Sequence, residues 1–126
     1  MASFAVLPEE EPGWRFEPVE FATRVAVRWP DAKTGINDLP GSSMVVHALV
    51  PFDPPRRELG IALSDVGNEI SLDPADPDTA AEFVAWYVTQ IPSFDPPVYL
   101  WAGGFARQLE LRPDTTEEEV RGFLEG

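Results

Sequence analysis

His47 is the chain's one histidine and cysteine is absent, so no thiol nucleophile, His–Cys pair or histidine-rich metal site can be assembled. His47 falls in a predicted strand, out of phase with Val46 and Ala48. General-base work there needs a nucleophile beside it, and Ser42-Ser43 is not set in a nucleophile elbow. His47 therefore reads as a structural or solvent-facing residue. Asp73, Asp76, Asp78 and Glu82 supply the oxygen ligands that a hard cation such as calcium wants. Their spacing departs from the EF-hand pattern, and two prolines stiffen the loop, so the acids read as helix-capping groups near a positive dipole end. Gly103-Gly104 lacks the further glycines and the lysine of a phosphate cradle. Carboxylate pairs for glycoside hydrolysis can be drawn from 22 acidic residues almost at will, so no pair is singled out without geometry. No catalytic, cofactor-binding or metal-ligating residue emerges, and the chain is expected not to be an enzyme and to need no cofactor.

Twenty-two Asp and Glu against nine Lys and Arg give a net charge of −13 over 126 residues. Such a surface repels phosphate backbones and anionic lipid, so nucleic acid and membrane are not expected partners. No apolar run reaches membrane-spanning length and no basic-then-apolar leader opens the chain, which leads to the expectation of a cytoplasmic protein. One lysine, Lys33, among nine basic residues, with abundant Ala, Pro, Val, Asp and Gly, is the usage of a high-GC bacterial genome. From Glu58 to Ala106 there is no Lys or Arg, while Glu58, Asp65, Glu69, Asp73, Asp76, Asp78, Glu82 and Asp95 are acidic. Gathered on one face, these acids would steer a basic protein partner; scattered, they would only keep the surface solvated.

The elements that would position these groups follow from local pattern. Residues 1–17, rich in Pro and Glu apart from Phe4 to Leu7, read as a flexible or edge-strand arm before one domain at 18–126. Over 18–29, Phe21, Ala22, Val25 and Trp29 fall at helical spacing; the alternation Phe21, Thr23, Val25, Val27, Trp29 keeps a strand open, and Pro18 at N1 tips the choice to helix. A loop with Gly35, Asn37, Pro40 and Gly41 follows. Strands are predicted at 43–50, 58–64 and 69–72, joined by Asp53-Pro54-Pro55 and by a turn at Gly67-Asn68. Thr79 and Glu82 form a capping box for a deeply packed helix from Ala80 to about Gln90. Strands at 98–102 and 105–111 flank Gly103-Gly104, and capping boxes at 114–119 open a short terminal helix. The order α-β-β-β-α-β-β-α predicts an α+β fold, an antiparallel sheet of about five strands with helices packed on one face.

Tyr99 and Trp101 alternate with Val98 and Leu100, so the two pairs must face opposite ways. With helices on one face only, Tyr99 and Trp101 turn to solvent or to a partner, unless the arm with Trp14 and Phe16 folds over them. Asp65, Glu69, Asp73, Tyr99 and Trp101 are the candidate partner-binding residues. The element order, together with Phe83-Val84-Ala85-Trp86-Tyr87 and Leu109-Glu110-Leu111-Arg112-Pro113-Asp114, resembles small acidic secretion-chaperone-like proteins of bacteria and immunity-type partners of toxins. That resemblance implies a protein-binding module that catalyses nothing, often a homodimer. A small-molecule binder, a carboxylate-based hydrolase and an orphan structural domain stay open as alternatives.

Overall fold

The computed structural model describes residues 2–37, 41 and 43–126; Pro40, assigned above to a loop, and Ser42, weighed above as a nucleophile, lie outside them. The elements are β1 (Ala2–Pro8), α1 (Pro18–Arg28), β2 (Lys33–Ile36), β3 (Met44–Val50), β4 (Leu59–Ser64), β5 (Ile70–Ala75), α2 (Pro77–Tyr87), β6 (Val98–Ala102), β7 (Arg107–Leu111) and α3 (Glu117–Glu125). All strand pairs are antiparallel in one sheet of seven strands, ordered β2-β3-β4-β5-β1-β6-β7. The α+β class holds. The strand count is seven rather than about five, because the first two strands arise from segments read as arm and loop.

The larger correction concerns β1. It is a central strand and not an edge: Val6 pairs with Ile70 of β5 on one side and Leu100 of β6 on the other. Phe4 and Val6 are buried, so the short apolar stretch joins two halves of the sheet. The segment after it does not cover Tyr99 and Trp101. The Phe16 amide donates to the Gly67 carbonyl at 2.8 Å, the Trp14 indole donates to the Ser93 carbonyl at 3.1 Å, and Phe16 lies against Phe21 and Tyr87 in the helix layer.

Period-two alternation sorts the strands into two faces. Val6, Val46, Ala48, Ile61, Leu63, Leu72 and Leu100 form the buried face, and α1 lies on it through Phe21 and Val25, α2 through Phe83, Val84 and Tyr87. Phe16, Phe21, Phe83 and Tyr87 make an aromatic cluster with centroid separations of 5.5 to 6.4 Å, a geometry favoured by ring quadrupoles. Burial raises the Tyr87 hydroxyl far above its ordinary value.

Helix α2 starts three residues before the predicted Ala80. Pro77 takes the first-turn position, where a missing amide costs nothing, the Asp76 amide donates to Thr79 Oγ1 at 3.2 Å, and the Thr79 amide donates to Asp78 Oδ1 at 2.9 Å. Glu82 is thereby released from capping and turned toward α1. There it accepts from the Trp29 indole at 3.0 Å and from Arg56 at 3.1 Å, with Arg28 at 3.5 Å; Arg56 also donates to Asp78 at 3.1 Å. Burial opposes the charged form of Glu82, but the Trp29 and Arg56 hydrogen bonds outweigh it and hold the carboxyl below its ordinary value of 4.5.

Glu82→Ala is expected to lower stability by about 2 kcal/mol at pH 7, since it strips partners from the buried Trp29 indole and the half-buried Arg56 guanidinium. With the folded value depressed, the contribution of the charge is complete above the ordinary value of 4.5 and is lost as pH falls through the folded value. Urea melts at neutral pH and at pH of about 3 should show the gap between wild type and variant narrowing in acid. A gap of constant size would rule out the carboxylate charge as its source.

Candidate functional site: the open face of the sheet

Among the described residues, no helix or loop lies over the second face of the sheet. The strand register writes out its middle row: Gly35 pairs with His47, His47 with Ala62, Ala62 with Ser71, Ser71 with Ala5, Ala5 with Trp101, and Trp101 with Gln108. One row toward the tip of the β4–β5 hairpin, Leu7 faces Tyr99 and Tyr99 faces Glu110. On the other side, Lys33 faces Leu49 and Leu49 faces Gly60.

These rows make a groove. Along the middle row its floor, in β1, β4 and β5, is made of the small residues Ala5, Ala62 and Ser71, with Gly60 one row on and Leu7 standing beside Tyr99. One wall is aromatic: Tyr99 and Trp101 on β6, each half-buried, with ring centroids 6.2 Å apart. The opposite wall is His47 and Leu49 on β3. Four strand spacings separate the walls, roughly 19 Å, and the groove deepens beside His47 into a hollow of about 320 Å³ bounded by Lys33, Leu49, Ser71 and Asp73.

Phe105 extends the aromatic wall, with its ring 5.3 Å from Trp101. It stands in the β6–β7 turn at φ 71°, directly after Gly103 and Gly104 at φ 64° and 62°, and the Ala106 amide closes the turn on the Gly103 carbonyl at 3.1 Å. Glycine adopts this left-handed conformation freely, whereas for phenylalanine it costs about 1 to 2 kcal/mol. Phe105 is the one non-glycine residue among those described with positive φ, and it is 60% exposed. The turn thus holds an aromatic ring outward, at the edge of the uncovered face and against Trp101.

The wall has an acidic rim. Partial desolvation raises the Tyr99 hydroxyl above its ordinary value, and the neighbouring carboxylates of Glu9 and Glu110 push it the same way. Continuing the β1–β5 register by one residue sets Glu69 level with Leu7, about 10 Å from Tyr99 on the same face.

Of the candidate residues, Tyr99 and Trp101 are thus brought together, and Glu69 and Asp73 lie exposed on the groove side of β5. Asp65 stands apart in the β4–β5 turn, where its carbonyl accepts from Arg15 at 3.3 Å. The acids of 58–106 do not converge. Asp78 and Glu82 are ion-paired with Arg56 and Arg28 in the helix layer, and Asp76 is the cap of α2. The face is therefore defined by aromatics with a rim of acids, not by the base-free stretch as such. Phe105, Glu9 and Glu110 are additions that sequence pattern did not single out.

No group of three or more His, Asp or Glu able to hold a metal ion occurs among the described residues, and no helix among them is long and apolar enough to cross a membrane. Comparison with protein-family models, with curated proteins and with solved structures gives no match to this chain.

Proposed function

We propose that the chain is a non-enzymatic protein-binding module that seats a basic helical segment of a partner protein in the groove of its open sheet face. The observation that carries this reading is the aromatic wall of Tyr99, Trp101 and the outward, left-handed Phe105 beside the small residues Ala5, Ala62 and Ser71. Large rigid aromatics at the edge of an uncovered face are the side chains that anchor interfaces. A helix about 10 to 12 Å across fits between walls at this separation. Glu9, Glu69, Asp73 and Glu110 around it, on a chain of net charge −13, select for Lys and Arg on the incoming helix and against acidic partners.

This reading is in line with the chaperone-like or immunity-like resemblance, in which the acidic chain holds a protein segment in the cytoplasm. The rival reading, a small-molecule or carboxylate-based site, would have to use the hollow beside His47, which is open and bounded by Lys33, His47, Ser71 and Asp73.

The test is an NMR titration of the full chain with a 14-residue Leu/Lys amphipathic helical peptide, its Leu/Gln counterpart as control. Shifts should centre on the Trp101 indole, Tyr99, Ala62 and Glu110, occur with the cationic peptide only, and weaken with added salt. Shifts centred on the helix layer, or equal binding of the uncharged peptide, would reject the groove as a site for a basic helix.

A further inference from the structure

Three of the exposed large apolar side chains, Val19, Val27 and Ile36, with exposures of 58%, 76% and 46%, lie together away from the groove. They surround a shallow depression, shared with Ala26 and Thr34, where the outer side of α1 meets β2. Strand β2 is an edge of the sheet and every one of its residues is exposed. Natural edge strands are guarded against pairing by charge, by bulges or by covering elements. The other edge, β7, follows that rule: it carries Arg107 and Glu110, and Arg107 reaches across to donate to the Phe123 carbonyl at 2.7 Å and lies 4.9 Å from the Phe123 ring. Along β2, by contrast, the sequence Lys33-Thr34-Gly35-Ile36 offers one charge at its start and an apolar side chain at its end.

Charge settles what can approach this edge. Residues 18–37 hold Arg24, Arg28 and Lys33 against Glu20 and Asp31, so the −13 of the chain resides wholly outside them. Two copies of so acidic a chain repel one another over most orientations; this near-neutral apolar edge is where that repulsion is least. An antiparallel β2–β2 pairing about a two-fold axis also brings the same patch to both sides, as an isologous interface requires.

We infer that this edge is a dimerisation surface whose occupant is a second copy of the chain, paired strand to strand along β2 with Val19, Val27 and Ile36 of each copy packed on those of the other. The axis runs perpendicular to the sheet, so the two helix layers share one side and the two open faces the other. The groove reading neither supports nor needs this pairing.

Sedimentation equilibrium of the full chain tests it, on wild type, Val27→Glu and Ile36→Glu. Val27 and Ile36 are exposed, and circular dichroism and the thermal midpoint confirm that each variant folds. Wild type should be dimeric at about 100 µM, and each glutamate should weaken the dimer at least tenfold. A monomeric wild type at that concentration, or a dimer equally strong in both variants, would overturn the proposal. Unaltered peptide titration of the groove by Val27→Glu would show that the two surfaces act separately, and its loss would overturn the independence stated here.

Discussion

Trp101→Ala is expected to weaken binding of the cationic helical peptide about 100-fold, equivalent to about 3 kcal/mol, with the fold retained. The ring is the centre of the aromatic wall, 6.2 Å from Tyr99 and 5.3 Å from Phe105, and its removal deletes two ring contacts at once. Stability should change much less. Trp101 is half-buried and its row partners Ala5 and Gln108 keep their backbone pairing, so a loss of about 1 kcal/mol is the expected scale. Calorimetric titration against the peptide, paired with a urea melt, separates the two effects. A variant that binds as wild type does would remove the aromatic wall from the interface, whatever its melt shows.

The largest stability effect is expected at Gly60, in the groove floor. A Cβ there would stand 2.3 Å from the Asp73 carbonyl oxygen and 2.8 Å from both Asp73 C and Pro74 Cδ. The obstruction is backbone and a proline ring, neither of which can rotate aside, so β4 and β5 must separate. Gly60→Ala should cost about 3 kcal/mol or more. Gly35→Ala is the matched control, since a Cβ at Gly35 meets nothing within 4 Å. Equal urea midpoints for the two variants would show that β5 yields at this point.

Periodicity and punctuation recovered the middle of the fold because those signals are local. The β3–β4–β5 meander, helix α1 and helix α3 lie close to where alternation, Pro18 and the Thr116–Glu119 capping box place them. Strand β1 was not legible as a central strand. Its partners stand some 65 and 95 residues along the chain, and a four-residue apolar run before Glu9-Glu10-Glu11-Pro12 has the same appearance at an edge as at a centre. Strand β2 was missed for the opposite reason: all four of its residues are exposed, so burial imposes no pattern on them. The register of α2 turned on two competing capping boxes, and Pro77 decided for the earlier one.

The candidate site shows the same division. Alternation along β6 placed Tyr99 and Trp101 on the face away from the helices. The fate of the acids depended on Arg28 and Arg56, which reach Glu82 from segments outside the base-free stretch; no local count of charge reveals that neutralisation. Phe105 was invisible because a left-handed φ leaves no trace in residue type when the residue is not glycine.

The central place of β1 bears on how the protein is made. This strand emerges from the ribosome before the other six of its sheet, yet both strands that flank it, beginning at Ile70 and at Val98, are translated far later. Phe4 and Val6 must therefore wait unpaired until Ile70–Ala75 has been made, and the two halves of the sheet join only once Val98–Ala102 has followed. Such non-local closure makes for slow folding. It also leaves the nascent chain with an uncovered apolar strand for any holdase, or any sister chain on the same message, to find first.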